Sequence, residues 1–134
     1  MTTQKPSPHA EGESSAYWKG ANSGKLVLQK CASCGQLRHY PQVTCAVCYS
    51  TESVSVEAAG NGTIHSWTIS HHAFHPGFAE DLPYALVTVD LTEGVRAMGL
   101  LADIAFEDLK PGLAVKATFP KGDDGFGRLT FVPA

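Results

Sequence analysis

Two Cys-x-x-Cys pairs constrain the fold of this chain more than any other feature. The segment 31–48 reads CASCGQLRHYPQVTCAVC, and it holds the only four cysteines of the 134 residues: Cys31, Cys34, Cys45 and Cys48. Each Cys-x-x-Cys turn directs two sulfurs at one point, so two turns complete the tetrahedral shell that zinc prefers. Strand-like sequences, KLVLQKC and QLRHY, flank the first turn. The pattern therefore predicts a β-hairpin that carries a metal knuckle, the layout of a zinc ribbon.

Other chemistries for these cysteines receive less support. Disulfides are disfavoured in a reducing compartment, and a thioredoxin-like redox site needs one Cys-x-x-Cys in a βαβ context that this sequence lacks. Iron also suits four thiolates, so it stays open, although zinc is favoured. Because four protein sulfurs leave no position for water, we expect one structural metal ion rather than a catalytic one.

The residue after each cysteine pair affects the geometry of its turn. Gly35 follows the first pair, where a glycine readily turns the chain so that backbone N–H groups point at the sulfurs. Tyr49 follows the second pair, so the second knuckle is predicted to be less ideal.

Composition and charge narrow the class of protein. Hydrophobic residues make up 43% of the chain, no apolar run approaches a membrane span, and the first 15 residues contain no signal-peptide core. We therefore expect a soluble, cytoplasmic protein with reduced cysteines. Residues 1–52 carry five basic and three acidic residues, whereas residues 53–134 carry five basic and ten acidic ones. The acidic part lacks the basic face that a phosphate backbone demands.

The N-terminal part predicts a tail and a short helix. Residues 1–10 are polar and contain proline, which is typical of disorder. The sequence EGESSAYWKGANSGK can form a helix that Ser14 or Ser15 caps and the Gly24 region ends. Its apolar side carries Tyr17 and Trp18, which either pack on the ribbon of the same chain or bind a partner.

Strand patterns follow the last cysteine. GNGTIHSWTISHH is rich in β-formers, PYALVTVDL alternates, GVRAMGLLADI follows the turn TEG, and LAVKATF and RLTFV come after the helical turn FEDLKPG. Five strands with a helix between the third and fourth favour a mainly β chain that ends in an OB-fold barrel, with a small β-sandwich as the alternative. Gly99 within the third strand suggests a bulge or bend. The predicted division is tail and helix at 1–25, ribbon at 26–52 and barrel at 53–134.

The order and spacing of these segments resemble the DUF35 family, in which a rubredoxin-like zinc ribbon precedes an OB-fold domain. The matching pieces run almost the whole length: YWKG, GKLVLQKCASCGQLRHYPQVTCAVC, GNGTIHSWT, PYALVTVDLTEGVR, EDLKPGLAVKATF and FVPA. Ala46 and Tyr49 depart from the proline and glycine often found around the second cysteine pair.

The resemblance implies a function that spacing alone does not. Similar proteins accompany thiolase-fold subunits, including sterol-carrier-type thiolases and aldolases, that act on acyl-CoA thioesters or related acyl transfers. The thiolase-like chain then carries the chemistry, and this chain supports its stability and the entrance for substrate or CoA. The resemblance implies a stable complex with a thiolase-like subunit, and Tyr17 and Trp18 support it as an aromatic pair that could bind this partner.

Independent chemistry is disfavoured by the sequence. His65, His71, His72 and His75 could hold a second metal or act as acid and base, but on an extended strand His65, Trp67, Ile69 and His71 share one face and the others do not converge with them. No catalytic residue is therefore predicted. Binding of single-stranded nucleic acid is the rival function, with Trp67, Phe74 and Tyr84 as stacking residues, but the acidic barrel disfavours it.

Contacts with CoA are expected on two surfaces, if this chain touches CoA. Phosphates need cations or N–H donors, which the basic N-terminal part supplies. The loop HHAFHPGF is an apolar surface that could cover an acyl chain. The candidate residues are Lys19, Lys25, Lys30, Arg38 and His39 for the phosphates, and Phe74 and Phe78 for the acyl chain. The alternative is that the charges are ordinary solvated groups.

Overall fold

A computed structural model describes residues 5–134 of the chain. The part of the predicted disordered tail that falls on residues 1–4 lies outside the described residues. The fold is mainly β, as predicted, with one α-helix, α1. The elements are α1 Ser15–Asn22, β1 Val27–Cys31, β2 Leu37–Arg38, β3 Ser53–Glu57, β4 Asn61–Ser70, β5 Tyr84–Leu91, β6 Arg96–Leu101, β7 Ala114–Thr118 and β8 Thr130–Pro133, with short 3-10 helices at Gly12–Ser14, Pro76–Asp81 and Phe106–Asp108.

The ribbon is a three-stranded antiparallel sheet in the order β2-β1-β3. The predicted hairpin is present, because Gln29 of β1 pairs with Arg38 of β2. All five residues of β3 pair with β1. The predicted boundary between residues 52 and 53 assigns β3 to the barrel, although its hydrogen-bonded neighbour is in the ribbon. The division into three domains stays a prediction.

The barrel closes in the order β4-β5-β6-β8-β7, with β7 returning to β4, and this confirms the OB fold rather than a β-sandwich. Strict alternation in β5 puts Ala85, Val87, Val89 and Leu91 inside, each at most 4% exposed. The parallel pairing of β6 with β8 completes the ring. The predicted helix between the third and fourth barrel strands is the 3-10 turn Phe106–Asp108.

A β-bulge in β4 changes the predicted faces of that strand. Ile64 pairs with Val89 and Ser66 pairs with Thr88, so His65 is the extra residue. Ile64 is buried inside the barrel, and Trp67, which follows the bulge, packs partly buried against the same core. The prediction that His65 shares a face with Trp67 was therefore wrong, because the bulge shifts the alternation by one residue.

The structure has a close approach of two strands at Gly99 in place of the predicted bulge or bend. The pairing of β5 with β6 is regular across it, since Val87 pairs with Gly99 and Thr88 pairs with Met98. A Cβ atom at Gly99 would lie 2.8 Å from the carbonyl oxygen of Leu129. Gly99 therefore lets the chain around β8 approach β6 closely.

The ribbon and the barrel share one hydrophobic core. Leu26 and Leu28 from the start of the ribbon are buried in the same cluster as Ile64, Val115 and Phe131 of the barrel. The backbone N–H of Met98 in β6 also donates to the Tyr40 hydroxyl, at 3.2 Å. Unfolding of the ribbon should therefore also destabilise the barrel. Within residues 5–134, no helix is both long and apolar enough to cross a membrane.

Candidate metal centre and barrel face

The four cysteine sulfurs converge on one point at the tip of the ribbon. Their Sγ atoms all lie within 4.8 Å of one another, with 3.5 Å between Cys31 and Cys48 and 3.7 Å between Cys34 and Cys45. Tetrahedral thiolate ligands at about 2.3 Å from a zinc ion lie about 3.8 Å apart, so the set fits a metal of that size. Cys31 and Cys45 are buried and the other two are exposed.

The two turns that carry the sulfurs have the same backbone hydrogen bonds. The N–H of Gly35 donates to the carbonyl of Cys31 at 3.0 Å, and the N–H of Tyr49 donates to that of Cys45 at 2.9 Å. Both residues adopt left-handed backbone conformations, with φ of 80° at Gly35 and 63° at Tyr49. Tyr49 therefore takes the conformation that a glycine adopts without strain, and the second knuckle keeps its hydrogen bonds despite the tyrosine.

Backbone N–H groups prepare two of the sulfurs for metal binding. The N–H of Cys34 contacts the Cys31 sulfur and lowers its pKa to about 6, and the N–H groups of Cys48 and Val47 lower the pKa of Cys45. The N–H of Ser50 favours the Cys48 thiolate too, but the nearby sulfur of Cys31 opposes it and the pKa of Cys48 rises to about 11. Four thiolates this close repel one another, so a cation is what allows all four to ionise.

The four cysteines form the only metal-ligand cluster found in the described part of the chain. No other group of three or more His, Cys, Asp or Glu residues between positions 5 and 134 brings its ligand atoms as close together. His65 is exposed at the bulge, and the ring of His72 meets Phe74 edge-to-face with 4.6 Å between ring centroids. The Nδ1 atom of His75 accepts a hydrogen bond from the backbone N–H of Gly77. His75 thereby caps the 3-10 helix Pro76–Asp81. The histidines are thus dispersed.

The aromatic pair of α1 packs on the chain itself. Tyr17 contacts the shared core, and burial raises its pKa to about 12. Trp18 meets Tyr17 edge-to-face at 5.0 Å between ring centroids and meets Phe126 in the same way at 5.5 Å. Both rings remain half-buried, so part of each surface is open to solvent. Their role in binding a partner stays a prediction.

A half-buried polar cluster adjoins Tyr17, and no sequence pattern predicted it. The His39 ring lies between Tyr17 and Tyr40, and burial lowers its pKa to about 4, so it is neutral at pH 7. Both His39 nitrogens are buried without a hydrogen-bond partner, as is one terminal nitrogen of Arg38. The Nε of Arg38 donates to the Gln29 side chain, which also accepts from the backbone of Gln42.

The structure separates the cations predicted to contact phosphates. Lys30 and Gln29 are consecutive in β1, and Arg38 pairs with Gln29, so Lys30 and Arg38 lie on opposite faces of the ribbon sheet. Lys25 lies 4.0 Å from Glu57, with both side chains more than half exposed. Lys19 is exposed on α1. One phosphate group cannot contact both Lys30 and Arg38.

A cavity of about 480 Å³ occupies the side of the barrel where OB folds bind ligands. Its walls are residues 76–84, which end the connection from β4 to β5, and residues 120–130, which lead into β8; the end of β6 forms its floor. Phe78 lines this cavity. Phe74 does not line it and is 93% exposed. The two phenylalanines predicted to act together are therefore in different environments.

Residues 5–7 of the predicted disordered tail lie across this cavity. Lys5 forms an ion pair with Asp81 at 2.7 Å, and its ammonium lies 5.5 Å from the Phe78 ring centre. Ser7 donates to Asp124 at 2.6 Å. Asp124 also accepts from Arg128, which holds the pKa of its carboxyl far below the usual range. The polar, proline-containing sequence that indicated disorder does not reveal these contacts, since their partners are more than 70 residues away.

Comparison with known proteins places both parts of the chain in one family. Residues 18–54 match the model described as ChsH2, rubredoxin-like zinc ribbon domain, and residues 55–120 match that described as ChsH2, C-terminal OB-fold domain. The solved structure of the "Ltp2-ChsH2(DUF35) aldolase" contains a chain that is 34% identical, with a TM-score of 0.85 over 95% of this chain and 98% of that one.

Two curated relatives differ in length. A "Probable enoyl-CoA hydratase alpha subunit" of Thermomonospora curvata is 35% identical over 130 residues, which are 97% of this chain but only 40% of the relative. A "DUF35 domain-containing scaffold protein" of Methanocaldococcus jannaschii is 30% identical over 105 residues, which are 75% of this chain and 74% of that protein. This chain thus spans less than half of the hydratase subunit and most of the scaffold protein. With both of its domains matched and the four sulfurs in place, the chain belongs to the DUF35 family, whose ChsH2-type members join a rubredoxin-like zinc ribbon to an OB-fold domain.

Proposed function

We propose that this chain is a non-catalytic subunit of a complex whose catalytic chain has a thiolase-like fold and acts on acyl-CoA thioesters or on related acyl transfers. The observation that carries the proposal is the match, over nearly the full length of both chains, to the DUF35 chain of a two-protein aldolase. The hydratase relative is also named as a subunit, and its name includes a CoA substrate. A thiolase and a thiolase-fold aldolase both meet this description of the partner.

The distribution of reactive groups supports placing the chemistry in the partner. All four thiols face one another at the ribbon tip, so none is directed at a substrate cavity. The histidines are dispersed along β4 and the following loop, and His75 caps a 3-10 helix. A catalytic set needs a nucleophile, a base and an orienting group within hydrogen-bonding distance.

We further propose that the metal is one zinc ion held by Cys31, Cys34, Cys45 and Cys48. Four thiolates suit both zinc and iron, but zinc has no redox chemistry and is the usual ion of closed structural sites. When bound, the ion cross-links the two turns. The chain's own contribution is to present the four sulfurs and the backbone N–H groups that favour their ionised form.

Nucleic-acid binding is the second candidate, and the barrel face gives it less support. The cavity at the usual OB ligand face is lined by four acidic residues and three basic ones: Glu80, Asp81, Asp123 and Asp124 against Lys5, Lys121 and Arg128. Arg128 is already paired with Asp124 at 2.7 Å. This face is therefore acidic overall and would repel a phosphate backbone.

Co-expression with a thiolase-like chain encoded beside this one tests the proposed assembly. We expect both proteins to elute together after affinity capture of either one, with a mass that requires both chains. A monomer that leaves the thiolase-like chain unbound at micromolar concentration would contradict the proposal. A gel shift with single-stranded oligonucleotides at low salt tests the nucleic-acid alternative, and we expect no shift.

Trp18→Ala is expected to weaken the complex while leaving the metal content unchanged. A half-buried tryptophan at an interface often contributes more than about 2 kcal/mol, which is roughly thirtyfold in dissociation constant. Titration calorimetry with the partner would measure the change. Phe126→Ala is the matched control, because it removes one of the two aromatic partners of Trp18 within the chain and keeps Trp18 itself. An equal loss in both variants would assign Trp18 to internal packing, and unaltered affinity in Trp18→Ala would remove it from the interface.

Contacts between this chain and CoA should appear in the kinetics of the reconstituted complex. If Lys25 binds a CoA phosphate, Lys25→Ala raises the apparent KM severalfold with little change in acyl preference, because uniform binding is lost. Lys116→Ala removes an exposed charge of the barrel and is the control. Phe74→Ala is expected instead to change which acyl chain is accepted. If no variant changes either parameter, this chain is a scaffold outside the substrate site.

A further inference from the structure

The outer edge of β3 is an unpaired strand edge of the ribbon sheet. The other edge strand of that sheet, β2, has only two residues. Natural edge strands are usually protected by a proline, an inward charge or a bulge. The sequence of β3, SVSVE, has no proline, its pairing with β1 is regular, and its one charged residue is Glu57 at the end of the strand. All of its residues except Val56 are exposed.

The register shows which backbone groups face outward. The N–H of Ala32 donates to the carbonyl of Glu52, and the N–H of Ala58 donates to the carbonyl of Leu26. These two hydrogen bonds flank the antiparallel ladder of β1 and β3. Because bonded and non-bonded pairs alternate along such a ladder, residues 54 and 56 bond to β1. The N–H and C=O groups of Ser53, Ser55 and Glu57 therefore point away from the sheet. In the described part of the chain, no loop or side chain bonds to these groups.

A groove of about 320 Å³ adjoins the same edge. It is lined by residues 27–29 at the start of β1, by residues 53–55 of β3, by the start of α1 and by residues 41–43. Its volume accommodates one or two side chains of a neighbouring strand. In strand addition, main-chain hydrogen bonds provide affinity, and pockets for alternate side chains provide specificity. This edge has both unpaired main-chain groups and a groove.

The charges around the edge favour a basic occupant. Glu13 lines the groove, and Glu52 and Glu57 lie at the two ends of β3. In the described part of the chain, Lys25 is the one cation within ion-pair distance of these three carboxylates, 4.0 Å from Glu57, and both of those side chains are more than half exposed. An added strand that carries lysine or arginine would therefore meet uncompensated negative charge.

We propose that β3 accepts an extended, basic segment of the partner subunit as a fourth strand of the ribbon sheet. The segment pairs with the outward groups of Ser53, Ser55 and Glu57, places one side chain in the groove and directs its positive charge at the glutamates. This inference rests on the proposed hetero-complex and names the surface that holds it together.

Ser55→Pro tests the proposal in the reconstituted complex. Proline removes only the outward N–H of residue 55 and is tolerated where an edge faces outward, so the ladder to β1 should persist. We expect at least a tenfold weaker complex, with the metal content and the thermal midpoint close to wild type. Ser55→Ala retains the N–H and should bind within threefold of wild type. Glu57→Lys should weaken the complex, and more strongly at low salt.

A peptide provides a second readout that does not need the partner. The probe is a synthetic ten-residue peptide of alternating valine and lysine, compared with one in which glutamate replaces each lysine. In amide hydrogen exchange followed by NMR, the lysine peptide should protect the N–H groups of Ser53, Ser55 and Glu57, and the glutamate peptide should not.

The outcomes separate this inference from the proposed function. An intact complex that Ser55→Pro does not weaken overturns the strand addition and leaves the hetero-complex standing. If wild-type chain forms no complex at all, the proposed function fails, and the peptide alone decides whether β3 accepts a strand. Absence of protection at the three amides then overturns the inference. A homodimer of this chain that Ser55→Pro dissociates would show that a second copy occupies the edge, which also overturns it.

Discussion

Cys31→Ser is expected to release the metal and to unfold the ribbon. Cys31 is buried, its sulfur lies 3.5 Å from that of Cys48, and its N–H bonds to Gln36 across the turn. Metal binding in small cysteine sites provides about 10–16 kcal/mol of folding free energy in zinc-finger peptides, so a lost ligand removes a large part of the stability of the ribbon. The damage should extend to the barrel, because Leu26 and Leu28 belong to its core.

Elemental analysis and thermal unfolding together measure this effect. We expect one zinc ion per wild-type chain, a strongly reduced metal content in Cys31→Ser, and a lower unfolding midpoint. Ser33→Ala is the matched control, because Ser33 lies in the same turn but its hydroxyl bonds only to that of Ser50. A Cys31→Ser protein with one metal per chain and an unchanged midpoint would show that the sulfurs do not hold the metal as proposed.

Gly99→Val is expected to destabilise the barrel by about 3 kcal/mol, the upper part of the range for overpacked cores. A Cβ at this position would lie 2.8 Å from the Leu129 carbonyl oxygen and 3.0 Å from the Phe131 ring. A valine must therefore force β6 away from β8, and the pairing of these two strands closes the barrel.

Urea unfolding measures the free-energy change. Met98→Val on the same strand is the control, since Met98 is 50% exposed and surface substitutions usually change stability by less than about 0.5 kcal/mol. A Gly99→Val protein as stable as wild type would mean that β6 and β8 do not approach as closely as described.

Local patterns predicted the parts of the fold that depend on local chemistry. The alternation in PYALVTVDL is enough to assign the inward residues of β5, because one face of that strand is fully buried. The cysteine spacing predicted the metal-ligand set, because two residues between ligands already determine a knuckle. These features do not depend on distant parts of the chain.

Sequence patterns did not predict the contacts between distant parts of the chain. The bulge at His65 has no sequence signature, and it reverses the faces expected for the preceding residues. β3 belongs to the ribbon sheet because it pairs with β1, whose residues lie about 22 to 30 positions before their partners, from Cys31 with Ser53 to Val27 with Glu57. The contacts of Lys5 and Ser7 with the barrel depend on partners at Asp81 and Asp124. The His39 ring likewise packs against Tyr17, which precedes it by about 20 residues.

Turnover of acyl-CoA substrates by the separate and combined chains tests the central claim most directly. We expect no turnover by this chain alone. We expect turnover by the complex, and His72→Ala and His75→Ala in this chain should change its rate by no more than about twofold, because neither residue belongs to a catalytic set. Robust turnover by the isolated chain, abolished by either histidine substitution, would contradict the account and place the active site in this protein.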